Sequence, residues 1–194
     1  MGAGAFFATM LMALAVENTV FSRALGLNRP VLYVNRAKTG MIYGGVFTWM
    51  VAFSSMLASG VNYLLLDFAY VRYVRALAFL MCVGIVYVFT ALLINKALPK
   101  HYDKLRRMLP LTTFNTALFG ALYISISQDF LTSIAYATGT GIGYTAAVLI
   151  IYYAGKRLAM SPVPRSFRGV PILLIYLGLL SLAIHGLIGH ALPV

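Results

Sequence analysis

Long apolar runs dominate this chain and constrain it more than any motif does. Six can be read: Ala3–Val16 with a polar extension through Leu27, then Thr39–Leu66, Ala76–Asn95, Met108–Gln128, Phe130–Gly155 and Gly169–Leu192. A helix needs roughly 20 residues to cross about 30 Å of hydrocarbon, and each of the last five runs meets that length. With 61% hydrophobic and 10% charged residues, the 194-residue chain carries more apolar surface than a core of its own size can enclose. That excludes a soluble globular fold, and the same composition excludes intrinsic disorder. A membrane β-barrel would alternate apolar and polar residues over about ten positions, and Val83–Leu93 shows no such alternation. The expectation is an all-α integral membrane protein, one transmembrane domain of six helices over residues 1–194.

Charge gives the orientation. Lys and Arg total 15 against 4 Asp and Glu, a net charge of +11. In a soluble protein this would suggest nucleic acid. Here the basic residues punctuate the apolar runs, so they read as loops obeying the positive-inside rule, and no nucleic-acid partner is expected. Arg29, Arg36 and Lys38 follow the first run, and Lys96, Lys100, Lys104, Arg106 and Arg107 follow the third. Lys156, Arg157, Arg165 and Arg168 follow the fifth, whereas the other side has only Arg72 and Arg75, which can snorkel from a helix end. Odd-numbered loops are therefore predicted in the cytoplasm of a bacterial inner membrane, with both termini outside. The start, Met1-Gly2-Ala3-Gly4, has no basic region before its apolar run, so no cleaved signal peptide is predicted.

A repeat is visible at an offset of 97 residues. Asn18-Thr19 lies over Asn115-Thr116, and Ala24-Leu25 over Ala121-Leu122. Leu and Ala matches come cheaply in membrane helices, so the Asn-Thr pair carries the information. Repeat 1 covers about 1–97 and repeat 2 about 98–194. Three helices per half is an odd number, so the halves run in opposite senses through the bilayer, as two inverted three-helix repeats.

The polar residues collect inside the first helix of each half. Val16 is followed by Glu17, Asn18, Thr19, Ser22 and Arg23, and the fourth run carries Pro110, Thr112, Thr113, Asn115 and Thr116. Proline frees a carbonyl that must find another partner in lipid, so the first and fourth helices are predicted to be broken. Matched breaks of this kind point to a midplane site, here Glu17, Asn18, Thr19, Arg23, Thr113, Asn115 and Thr116. Each of these polar residues singly can also be read as glue between helices. Glu17 and Arg23, six residues apart, face different sides of a straight helix, so a direct pair requires a break between them. The other reading puts both at the cytoplasmic boundary.

Other motifs carry less. Gly139-Thr140-Gly141-Ile142-Gly143 resembles a nucleotide loop but lies inside an apolar span, and reads as close helix packing, like Gly40-xxx-Gly44. His101, His185 and His190 are scattered without a second ligand at helical spacing, and the single cysteine, Cys82, reads as a small apolar residue. No metal site and no catalytic set is predicted.

Several segments resemble the Rnf/Nqr family of membrane subunits: Ala15-Val16-Glu17-Asn18-Thr19-Val20-Phe21 through Leu25-Gly26-Leu27, Tyr73–Phe79, Leu109-Pro110-Leu111-Thr112-Thr113, and Val163–Gly169. The resemblance covers essentially the whole chain. Arg75-Ala76-Leu77-Ala78-Phe79 and Val163-Pro164-x-x-Phe167-Arg168-Gly169 favour the RnfA (NqrE)-like branch over the longer RnfE/NqrD branch. It implies a component of an electron-transport complex that moves Na⁺ or H⁺, packed beside a paralogous six-helix membrane subunit. It further implies a [2Fe–2S] cluster shared between the two, each supplying two cysteines. Here those two positions hold Asn28 and Thr116, and iron–sulfur clusters need thiolates or, at times, His. The expectation is therefore a diverged RnfA-like subunit that holds no cluster itself. The alternative is a stand-alone or homodimeric inverted-repeat transporter of an ion or small solute.

Overall fold

The computed structural model describes residues 2–27, 36–65, 70–97, 99, 102–125 and 129–188. In chain order the helices are α1 (Ala3–Leu11), which runs into a π-helical turn (Met12–Val16), then α2 (Ala37–Leu65), α3 (Val71–Ala97), α4 (Tyr102–Thr113), α5 (Thr116–Ser125), α6 (Phe130–Met160) and α7 (Val170–Ile188). A 3-10 turn, Arg165–Phe167, precedes α7. Among the described residues, four stretches are long and apolar enough to cross a membrane: Ala37–Leu65, Tyr73–Ala97, Phe130–Met160 and Val170–Leu187.

The remaining two apolar runs, the first and the fourth, are the broken ones, as predicted. The run Met108–Gln128 is not one spanning helix. It contributes the end of α4 and the 10-residue α5, with Phe114 and Asn115 between them. Nor does the break fall at Pro110, which lies inside α4. Proline there removes one donor, but the Phe114 N–H still reaches the Pro110 carbonyl at 3.0 Å, so the helix continues past it. The helix ends at Thr113, and the Asn115 side chain replaces the backbone as the acceptor for the next turn. The first run stays helical to Val16, as the sequence suggested. It closes on a π bond from Glu17 N–H to the Met12 carbonyl at 2.9 Å and then becomes turns through Leu27.

The two longest helices, α2 and α6, form the central pair. Their contact is made by small residues. A Cβ on Gly44 would land on the Thr145 side chain, and one on Gly141 would sit 2.6 Å from the Thr48 Cα. Between these contacts Phe47 stacks on Tyr144, ring centroids 4.1 Å apart. Gly44 and Gly141, Phe47 and Tyr144, and Thr48 and Thr145 are each separated by 97 positions, the offset of the Asn-Thr pair. Glycines on α6 also receive α1. A Cβ on Gly139 would strike the Met10 carbonyl, and one on Gly143 would lie 2.7 Å from the Leu14 carbonyl, so the Gly139-xxx-Gly143 stripe is a packing surface. In its spanning window α6 is 61% buried and α7 only 11%, which puts α6 at the centre and α7 at the periphery.

Candidate functional site at the two helix breaks

Both breaks are organised by an asparagine, and in the same way. The Asn18 Oδ1 accepts the Val20 N–H at 3.0 Å, and the Asn115 Oδ1 accepts the Ala117 N–H at 3.0 Å. A side-chain acceptor two residues upstream satisfies a donor that the interrupted helix leaves orphaned. Each amide then donates across to another helix. Asn18 Nδ2 reaches the Leu14 and Gly143 carbonyls, both at 3.0 Å, and Asn115 Nδ2 reaches the Tyr144 hydroxyl at 2.8 Å and the Tyr43 hydroxyl at 3.3 Å. Asn18 fits because Gly143 has no Cβ, whose place would be 2.9 Å from Nδ2. Both asparagines are buried, so these bonds replace water that cannot enter.

The breaks meet at Gly26. Its N–H donates to Thr116 Oγ1 at 2.9 Å, and its carbonyl accepts the Tyr144 hydroxyl at 3.1 Å. Gly26 has φ +75°, and a Cβ there would lie 2.7 Å from Tyr144 Cε2 and 2.8 Å from Asn115 Oδ1, so only glycine fits. Tyr144 is thus the hub, accepting from Asn115 and donating to Gly26. Tyr43 donates in turn to the Leu111 carbonyl at 3.2 Å. The result is an uncharged network linking α2, α4, α5, α6 and the first break.

The charged residues lie apart from it. Arg23 Nη2 and Glu17 Oε2 are 3.2 Å apart, each side chain 41% exposed, so the break brings the two into the direct pair that a straight helix forbids. Tyr136 on α6 donates to the same Glu17 oxygen at 3.1 Å. Ser22 Oγ donates to the Val16 carbonyl, and Ser181 on α7 donates to the Phe21 carbonyl, tying the peripheral helix to this break. Within the membrane zone an exposed ion pair is costly unless water or protein covers it.

Of the seven predicted site residues, then, Asn115 and Thr116 share the uncharged network, and Glu17 and Arg23 form the ion pair. Asn18 braces the first break against α6. Thr113 is buried but donates to the Leu109 carbonyl of its own helix at 2.7 Å. Thr19 is fully buried, and its hydroxyl has no partner among the described residues. Asn28, two residues past Gly26, lies outside the described residues, as do His101 and His190. Cys82 is buried on α3. The sequence reading missed Tyr43, Tyr136 and Tyr144. A signal for Tyr144 was present: Gly44-x-x-Phe47-Thr48 recurs as Gly141-x-x-Tyr144-Thr145 at the same offset as the asparagines.

Comparison with known proteins places the chain in a family of membrane subunits. Residues 6–190 match the family described as "Rnf-Nqr subunit, membrane protein". The chain is 33% identical over 183 residues to the A subunit of an ion-translocating oxidoreductase complex from Syntrophotalea carbinolica, covering 93% of this chain and 94% of that one. It is 32% identical over 186 residues to the A subunit of the Na⁺-translocating ferredoxin:NAD⁺ oxidoreductase complex of Acetobacterium woodii, covering 94% and 96%. To the A subunit of the ion-translocating oxidoreductase complex of Vibrio vulnificus it is 29% identical, covering 90% and 92%.

Proposed function

The chain belongs to the Rnf-Nqr family of membrane subunits, and we propose that it works as an RnfA-like component of an ion-translocating electron-transport complex without itself holding an iron–sulfur cluster. On this reading it packs beside a paralogous six-helix chain in a bacterial inner membrane. Its termini are outside and its odd-numbered loops, which carry most of the basic residues, are cytoplasmic. Its contribution is a rigid brace at the broken helices and a surface for neighbouring subunits, with Na⁺ or H⁺ as the ion the assembly moves.

The residues at the family's ligand positions do not fit a [2Fe–2S] cluster, which takes thiolates or imidazoles. The observation that carries this is the bond from Gly26 N–H to Thr116 Oγ1. Where the family resemblance implies a thiolate, this chain has a hydroxyl already serving as an acceptor for the opposite break. Cys82, the only thiol in the chain, is buried on α3. The exposed Glu17–Arg23 pair supports the packing of a partner chain, which would remove an ion pair from lipid.

Purification of the tagged chain from its native membranes in mild detergent, followed by mass spectrometry, tests the assembly. Other subunits of an electron-transport complex, including a second six-helix chain, are expected to follow it. Recovery alone or as a homodimer would remove the redox context and leave the transporter reading. Iron analysis and EPR on the chain together with its paralogous partner test the second part. Stoichiometric iron at the shared site would overturn the cluster-free assignment.

A further inference from the structure

A cavity of about 380 Å³ lies well away from the breaks in the fold, between the C-terminal end of α6 and the start of α7. Leu158, Ala159 and Leu173 supply apolar wall, while Ser161 and Arg168 supply polar groups. Both helices reach the ends of their membrane-spanning stretches here, Phe130–Met160 and Val170–Leu187. The cavity therefore opens where hydrocarbon gives way to headgroups. Arg168 Nε donates to the Val163 carbonyl at 2.9 Å, which uses one of five guanidinium donors and anchors the charge at the cavity. Lys156, Arg157 and Arg165 flank it in the sequence, and no Asp or Glu occurs from Phe130 to Val194 to neutralise them.

We propose that this cavity binds the phosphate of an anionic phospholipid, with Arg168 on the phosphate and the glycerol and first acyl carbons against Leu158 and Leu173. A guanidinium presents parallel donors that match a phosphate, and a basic pocket between membrane helices suits a lipid whose other end must stay in hydrocarbon. This inference does not depend on the function proposed above, since it rests on the cavity and its charge alone.

The test is native mass spectrometry of the detergent-purified chain, delipidated and then titrated with phosphatidylglycerol, phosphatidylcholine or inorganic phosphate. Phosphatidylglycerol should bind stoichiometrically and more tightly than phosphatidylcholine. Arg168→Gln should weaken it about tenfold, the scale of one charge-assisted hydrogen bond. Gly155→Leu fills the cavity without changing charge. Its Cβ would meet Leu173 at an ordinary 3.8 Å, so the fold should tolerate it while lipid binding falls by a similar factor. Arg106→Gln, on α4, should leave binding unchanged. Equal binding by wild type and both cavity variants would overturn the proposal. So would an equal loss in all basic variants with none in Gly155→Leu, which is diffuse attraction. Displacement of the lipid by millimolar inorganic phosphate would make this a site for a free anion instead.

Discussion

The two breaks begin alike and end differently. Each has an asparagine accepting the N–H two residues on, and each sends its amide to a neighbouring helix. In the second half the chain resumes a helix at Thr116, directly after Asn115. In the first half it makes turns from Glu17 to Leu27, passing through Ala24 at φ +53° and Gly26 at φ +75°. The charges are divided in the same way, with an ion pair at the first break and only neutral groups at the second. The difference teaches that an asparagine sets the position of a break, while the residues after it set the length. Thr116-Ala117-Leu118 can re-enter a helix at once because Asn115 caps it, its carbonyl accepting from Leu118 at 3.0 Å. After Asn18, the Ser22 and Arg23 side chains turn back to Val16 and Glu17, which holds the backbone in turns.

This contrast can be broken or sharpened by mutation, and the largest effect is expected where α1, which leads into the first break, rests on α6. Gly139→Val would drive a side chain into the Met10 carbonyl and displace α1, at a cost of more than about 3 kcal/mol. Size-exclusion chromatography in detergent should show little monodisperse protein, and near-normal yield would mean that α1 is not seated on α6. Next come the asparagines. Asn115→Leu and Asn18→Leu should each cost about 2–3 kcal/mol, because each strands buried donors and acceptors. Thermal unfolding of the two variants should agree within a few degrees. A wide gap would show that only one asparagine organises its break. Thr116→Val removes the acceptor for Gly26 N–H and should cost about 1–2 kcal/mol. Hydrogen exchange should quicken at residues 24–27 and leave the centre of α2 unchanged. The smallest effect belongs to Gly120→Ala, whose methyl would meet only the side chain of Leu25. Leu25 can swing aside while alanine favours the helix, so the change in stability should stay within about 0.5 kcal/mol, read from the shift in thermal midpoint.

Much of this was legible in the sequence. Apolar length revealed the spans, because lipid demands unbroken helices, and the paired Asn-Thr identities revealed where that demand is violated. For Glu17 and Arg23 the sequence left two readings open, a direct pair across a break or a place at the cytoplasmic boundary, because a straight helix would hold them apart. What was not legible was the set of partners. Tyr43, Tyr136 and Tyr144 sit in apolar helices and read as core, and only packing reveals that their hydroxyls face the breaks. Which residue of the cluster from Pro110 to Thr116 makes the second break was not legible, for a physical reason. Pro110 deletes a single hydrogen bond, which α4 survives, whereas Asn115 offers the backbone a substitute acceptor and so ends the helix.

The stacking of Phe47 on Tyr144 has a consequence for how such a chain diverges. A residue meeting its own counterpart is the mark of an isologous interface, in which residue i touches j and j touches i. Were the halves separate identical chains, any change at that position would be made twice, facing itself. Covalent joining lifts that obligation. One side of the contact has the plain ring of Phe47, while the other carries the hydroxyl that accepts from Asn115 and donates to Gly26. A single phenol at the centre is therefore open to a fused chain and closed to a symmetric dimer, and fusion itself lets the two breaks become unequal.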